Sequence, residues 1–211
     1  MVEPVARLRI ELQGIEPKVW RSVDVPLSST LRALHDVIQV AFGWMNSHLF
    51  AFEVADRIYA EPMFDDDAFG QRVYKAAAIR LKSLIERQVE RFVYVYDFGD
   101  DWRHEIAIEC VRDGEPDVDY PAFVGGERRG PPEDVGGVVG FMGFLEAVLD
   151  PLHEEHRDTV TWYGKPFDPH DIDEPGIRLV LSSLAARRRG PLKSHRGNAR
   201  TRRTRWTEER S

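Results

Sequence analysis

Cysteine is almost absent: Cys110 is the only one in 211 residues. That excludes an intramolecular disulfide framework and any zinc site built on several cysteines. It suits a reducing compartment, so the cytoplasm is the expected location. Long apolar runs are missing too. Nothing approaches the roughly 18 consecutive apolar residues of a membrane span, and Met1–Leu12 has no basic segment leading into an apolar stretch, so neither membrane insertion nor secretion is expected. No glycine-rich loop ends in Lys-Ser or Lys-Thr, and no dinucleotide fingerprint or internal repeat is present. What the chain does have is material for one substantial core. Apolar residues make up 42% and include 5 Trp and 11 Phe, and a chain of this length buries roughly 70% of its unfolded surface.

Positive charge is concentrated at one end. Residues 187–211 carry ten basic side chains (Arg187, Arg188, Arg189, Lys193, Arg196, Arg200, Arg202, Arg203, Arg205 and Arg210) against Glu208 and Glu209. Of the 29 basic and 36 acidic residues in the chain, residues 1–186 therefore hold 19 and 34, a net charge of −15 hidden inside the total of −7. The terminal stretch contains Gly190, Pro191, Gly197 and Asn198 and almost no aliphatic side chain. It cannot bury enough apolar surface to offset the entropy of ordering, so residues 187–211 read as a disordered basic arm. Such an arm fits contact with a phosphate backbone; folding back on the acidic body, or keeping the chain soluble, are the alternatives.

Residues 1–186 read as one α+β domain, a mainly antiparallel sheet packed against helices. Val5–Leu12 alternates with a period of two, Val19–Val25 forms a second strand, and Ser28, Ser29 and Thr30 supply helix-start oxygens. Leu31, Leu34, Ile38, Ala41, Phe42 and Met45 recur at helical spacing, with Gly43 at the exit. Leu49–Val54 and Arg57–Ala60 read as short strands, followed by a solvated acidic loop at Asp65, Asp66 and Asp67. Ala76–Glu90 is divided between helix and a brief strand at Ile79-Arg80-Leu81. Phe92–Tyr96 and Trp102–Val111 form a hairpin across Asp97-Phe98-Gly99-Asp100-Asp101, where Gly99 can take a positive φ. Asp113–Gly137 reads as a long irregular loop. Helices are expected over Phe141–Leu149, from about Pro151, and over Asp171–Arg188.

Three constellations carry possible chemistry. On the hairpin, His104 shares a face with Trp102 and Ile106, so a buried imidazole is expected, with Asp97, Asp100 or Asp101 as its hydrogen-bond, acid–base or metal-binding partner. The bland reading is a satisfied core histidine beside aspartates that cap a turn. His153 and His156, three apart, can share one side of a helix as metal-binding pairs do, although the spacing is not that of the zinc-protease motif; a charged solvent-facing turn is the alternative. His48, between the first helix and a strand, is the third metal candidate. Pro131-Pro132-Glu133-Asp134-Val135-Gly136-Gly137 sets a kink ahead of two glycines, either for close approach to a ligand or as a loop packed on the sheet.

Taken together, Ile15–Arg21, Leu34-His35, Phe42-Gly43-Trp44 with His48-Leu49, Tyr96–His104, Gly126-Glu127-Arg128, Pro131–Gly137, and Gly164 with Phe167-Asp168-Pro169 resemble the plasmid pRiA4b ORF-3-like family. The resemblance spans most of residues 5–185 and implies an α+β domain without a settled reaction. Its members include insertion-element passenger proteins labelled TnpR. Typical members read His-Leu-His where this chain has His48-Leu49-Phe50, and often carry cysteines at the positions of Gly130 and Val135. Recombinase chemistry finds no support: Ser22, Ser28 and Ser29 lack the setting of a serine recombinase, and no histidine is followed by arginine at the spacing a tyrosine recombinase needs. The leading expectation is therefore a non-catalytic mobile-element accessory protein that contacts DNA or a transposase through its basic tail. The alternative is a metal-dependent hydrolase or nuclease built on the aspartate-rich hairpin and nearby histidines, with a divalent metal as cofactor.

Overall fold

Alternation within the strands decides which way the sheet faces, and the sheet in turn sets the place of every helix. The computed structural model describes residues 3–61 and 72–189. In chain order these form β1 (Pro4–Leu12), β2 (Trp20–Pro26), α1 (Leu31–Phe42), β3 (Phe50–Val54), β4 (Arg57–Ala60), β5 (Val73–Lys75), a 3₁₀ turn at Ala76–Ala78, α2 (Leu81–Glu86), β6 (Arg91–Tyr96), β7 (Trp102–Asp113), β8 (Ala122–Glu127), α3 (Gly137–Leu149), α4 (His156–Tyr163) and α5 (Glu174–Arg189). The strands make one sheet in the order β5-β4-β3-β6-β7-β1-β2-β8. Every pairing is antiparallel except β4 with β5. The α+β class is thus borne out.

Paired residues share a face, so the register assigns the two sides. Leu12 lies opposite His104, His104 opposite Tyr94, and Tyr94 opposite Phe52; all four are fully or almost fully buried. They join Leu34, Ile38 and Phe42 of α1, Phe141 and Phe144 of α3, and Ile177 and Leu181 of α5 in one cluster. The opposite face carries ion pairs, with Asp24 between Arg7 and Arg112, and Arg103 against Glu53. Helix α1 starts and stops where its caps dictate: Thr30 Oγ1 accepts from Ala33 N, and Gly43 turns left-handed at φ 79°.

Several expectations need correction. The segment 76–90 is a 3₁₀ turn followed by α2, with a single bridge between Arg80 and Thr30 in place of a strand. The region expected to be wholly irregular contains β8, whose two consecutive glycines hide the strand pattern. Gly126 is required there, because a Cβ would lie 2.7 Å from the Arg21 side chain and 2.9 Å from the Trp20 carbonyl oxygen. The helix expected near Pro151 begins at His156. Met45 lies past the end of α1 and is exposed. At the hairpin tip it is Asp97 and Asp101 that adopt left-handed φ, at 53° and 51°, rather than Gly99. Arg187, Arg188 and Arg189 belong to α5 and not to a loose arm, and Arg188 is clamped onto Glu3 and Ser28. The helix extends because Ile177, Leu181 and Ala185 keep a buried stripe running to its last turns. The acidic loop at Asp65–Asp67 and the basic residues Lys193, Arg196, Arg200, Arg202, Arg203 and Arg205 lie outside the described residues.

Two histidines are built into the core. His104 Nδ1 donates to the Trp102 carbonyl at 3.1 Å, and the ring stands edge-on to Phe42 and Trp44. His35 stacks on Phe50 at 3.7 Å and sits between the Tyr94 hydroxyl and Asn46 Oδ1. Burial pushes both imidazoles down to about 3. An unfolded histidine titrates near 6.5, so the unfolded chain binds the extra protons as pH falls below that value and stability is lost from there downward. At pH 5 each histidine should cost about 2 kcal/mol. Urea unfolding at pH 7.5 and 5.0, with His104→Gln beside the parent chain, measures this: the variant should lose about half of the histidine-linked slope, and parallel slopes would show that His104 titrates normally.

Candidate metal centre

Three loops meet at the end of the sheet where β6 and β7 join. The first, residues 43–49, leaves α1 and is held by the core. Gln39 Oε1 accepts from Asn46 N at 2.7 Å, His35 donates to Asn46 Oδ1 at 2.6 Å, and the Tyr94 hydroxyl donates to His35 Nδ1 while accepting from Gln39 Nε2. The second is the hairpin tip, where Asp97 Oδ1 accepts from Gly99 N at 3.0 Å and Asp100 N at 3.4 Å, an Asx-type turn. The third is Pro131–Gly137. Trp44 Nε1 donates to the Pro131 carbonyl, Gly136 N donates to Asp100 Oδ2, and a Cβ on Gly137 would lie 2.6 Å from the Asp100 carbonyl oxygen. Its glycines therefore serve close packing against the hairpin tip.

The convergence leaves His48, Asp97 and Asp134 facing one another. His48 Nε2 is 2.9 Å from Asp134 Oδ1 and 3.6 Å from Asp97 Oδ2, and one ligand atom from each of the three falls within 4.8 Å of the other two. Glu133 is next, with Oε2 at 3.8 Å from His48 Nε2. The carboxylate of Glu133 accepts from Met45 N at 2.8 Å and from the Tyr96 hydroxyl at 3.0 Å, while that hydroxyl accepts from the amides of Ser47 and His48. Burial, then the Glu133 carboxylate, raises the Tyr96 phenol far above its ordinary range, so it stays protonated and a donor. Asn46, Asp97, Asp101 and Asp134 all have φ between 51° and 57°, a region that short polar side chains tolerate best among residues other than glycine.

The donor set can be tested against a metal. Bonds of about 2.1 Å to nitrogen and oxygen at tetrahedral angles separate ligand atoms by about 3.4 Å. The His48–Asp97 spacing already fits, and the 2.9 Å between His48 Nε2 and Asp134 Oδ1 has only to open by about half an ångström. Asp97 is aimed by the amides on its other oxygen, which is the outer-sphere support a ligand needs.

A profile of the plasmid pRiA4b ORF-3-like protein family matches residues 4–175. The chain belongs to that family. It is 39% identical over 189 residues to the uncharacterized protein y4hQ of Sinorhizobium fredii, covering 89% of this chain and 95% of that protein. It also resembles the crystal structure of the protein of unknown function MM3350 from Methanosarcina mazei, with a TM-score of 0.76 and 31% identity over 83% of this chain and 97% of that one. The positions where this chain departs from the usual family pattern are not donors here. Phe50 points into the core against His35, and a Cβ at Gly130 would lie 2.6 Å from the Phe42 carbonyl oxygen.

Of the sequence candidates, His48 and Asp97 come together, and Asp100 lies beside them bonded to Gly136. Asp101 pairs with Arg103 at 3.6 Å on the polar side. His104 is bonded to a backbone carbonyl in the core, not to the aspartates, because its strand position turns it to the buried face. His153 and His156 do not form a helical pair: His153 lies in a turn and accepts from Glu155 N, while His156 Nδ1 bonds the Ala147 carbonyl. Asp134, Glu133 and Tyr96 were not singled out in the sequence. Glu133 and Asp134 lie in the Pro-Pro-Glu-Asp block, legible as a loop but not as a partner of the hairpin, and Tyr96 reads only as the end of a strand. Tyr96→Phe removes the hydroxyl that joins the three loops and should cost about 1–3 kcal/mol. Equilibrium unfolding checks this, and a cost near zero would mean the loops hold without it.

Proposed function

We propose that the protein binds a divalent cation at His48, Asp97 and Asp134 and works as a metal-dependent hydrolase. The observation that carries this reading is the meeting of one imidazole and two carboxylates from three separate loops. Three protein donors leave a coordination position open, the mark of catalytic rather than structural sites. One nitrogen and two oxygen donors suit zinc or manganese better than copper or iron–sulfur chemistry. A cation there would supply Lewis acidity and a more acidic bound water. Glu133, fixed by Met45 N and the Tyr96 hydroxyl, stands beside the donors as the proton acceptor. Tyr96 holds that carboxylate in place.

Elemental analysis of the full chain after reconstitution with Zn, Mn, Fe or Ni should find one ion per chain, and Asp97→Asn and His48→Ala should abolish it. At an ion concentration of about 100 times Kd the parent should gain about 2.7 kcal/mol of stability, absent in Asp97→Asn. No stoichiometric ion under any of these conditions overturns the proposal. Metal-stimulated hydrolysis of nitrophenyl esters, lost in the same variants, tests the reaction class.

A second reading concerns the terminal segment, and sequence composition favours it. Residues 190–211 retain seven basic side chains against two acidic ones, and the family name records a plasmid setting. In this reading the segment contacts DNA, or a transposase bound to it, as an accessory to a mobile element. If all seven contact phosphates, the logarithm of the binding constant should fall with a slope of about −6 per logarithm of salt concentration. Truncation after Arg189 should weaken DNA binding and flatten that slope; unchanged binding would end the idea.

A further inference from the structure

Among the described residues, Arg21 is a buried cation without an anion. It lies opposite Ile10 on the inward face of the sheet and is 1% exposed. All its hydrogen bonds go to neutral carbonyls: Nε to Ala41 O at 2.7 Å, and Nη1 to Trp20 O at 2.7 Å and Glu127 O at 3.1 Å. Two of its five N–H groups, those on Nη2, are left for another acceptor. Among the described residues no carboxylate pairs with it, and the charged group that acts on it is another cation, Arg129. Tying the end of α1 to β2 and β8 explains the three carbonyl contacts. It does not explain why a permanent charge was buried without a counter-ion, which proteins ordinarily avoid.

Arg21 lines a cleft of about 490 Å³ that also contains Arg129, Lys165, Glu133 and Asp134. Lys165 is exposed and lies over the Tyr163 ring. Arg129 uses Nε and Nη2 on Asp171. Three carboxylates line the same cleft: Glu133 accepts from Met45 N and the Tyr96 hydroxyl, Asp134 Oδ1 lies 2.9 Å from His48 Nε2, and Asp173 accepts from Gly176 N. Residues 129–134 form one irregular strip of the wall. It carries Arg129 at one end and the acidic pair at the other, so the cationic end lies at most about 18 Å from the metal cluster along the chain.

We propose that this cleft binds a phosphoryl group between Arg21, Arg129 and Lys165, and that the substrate of the neighbouring metal cluster is a phosphorylated small molecule. The second half rests on the hydrolase reading; the anion site stands without it. A guanidinium offers paired donors to two phosphate oxygens, and three cations match a dianion better than a monoanionic carboxylate. Burial and Arg129 hold Arg21 down to about 10, and an anion in the cleft would reverse that shift.

The test uses the full chain and inorganic phosphate as the probe, titrated calorimetrically in EDTA and, separately, with Zn or Mn present, against acetate at matched ionic strength. Phosphate should bind in EDTA and raise Tm, and Lys165→Ala and Arg129→Ala should each weaken it about tenfold. Arg21→Met can fail to fold because Arg21 ties three carbonyls, so Lys165→Ala, an exposed change, is the deciding variant. No phosphate binding, or binding unaffected by Lys165→Ala, overturns the site; acetate binding as well as phosphate overturns the phosphoryl assignment. Phosphate bound in EDTA by a chain that takes up no metal would leave the anion site and remove the hydrolase, whereas metal uptake without phosphate binding would do the reverse.

Discussion

The Tyr96 hydroxyl is the point on which the arrangement of the site depends. It accepts from two successive amides of the loop after α1 and donates to Glu133 of the Pro-Pro-Glu-Asp loop, while its own strand leads directly into Asp97. One oxygen at the end of a sheet strand thereby registers three segments that are far apart in sequence. The sheet gives that oxygen a fixed address. Burial keeps the phenol protonated, so the direction of the Glu133 hydrogen bond does not change with ordinary pH. Each loop also has a second anchor of its own, in Gln39 and His35, in the Asx turn, or in Trp44.

The core between the sheet and α1 holds His104 and Tyr94 on the strands and His35 and Gln39 on the helix, and three of these, Tyr94, His35 and Gln39, serve the loop after α1. His35 and Gln39 do not face the cleft; they position Asn46, whose left-handed backbone sends the chain toward His48. Tyr94, His35 and Gln39 satisfy one another and Asn46, which keeps the cost of burying them low, whereas His104 Nε2 is buried with no hydrogen-bond partner among the described residues. The consequence is that core stability and loop placement are coupled, and both weaken when the imidazoles are forced to take up protons.

Charge is organised in the folded body as well as along the chain. The outer sheet face pairs its arginines with carboxylates: the part-exposed Arg103–Glu53 pair adds little stability, whereas Asp24 is buried between Arg7 and Arg112. The cleft beside His48, Asp97 and Asp134 departs from that pattern, since among the described residues Arg21 hydrogen-bonds to carbonyls and to no carboxylate. Arg188, which its sequence neighbourhood assigns to the basic tail, is instead held by Glu3 and Ser28 and ties the last turn of α5 to the start of β1 and the loop after β2.

Period-two alternation in residues 4–12, 20–26, 91–96 and 102–113 made most of the sheet legible, as helical spacing with Thr30 and Gly43 did for α1, because those signals are local. Strand β8 escaped since Gly126 answers to Arg21 on the neighbouring strand β2. The inward face of His104 was readable for the same local reason, but its partner was not: the nearby aspartates look outward along the turn, and only the register with Leu12 and Tyr94 places the ring among aromatics. By itself the sequence determined most of the strands and the β6–β7 hairpin, where α1 begins and ends, and which family the chain resembles. Tertiary structure alone decided that His48, Asp97 and Asp134 meet while His153 and His156 do not, because that depends on the strand order of the sheet and on hydrogen bonds between loops that no spacing along the chain encodes.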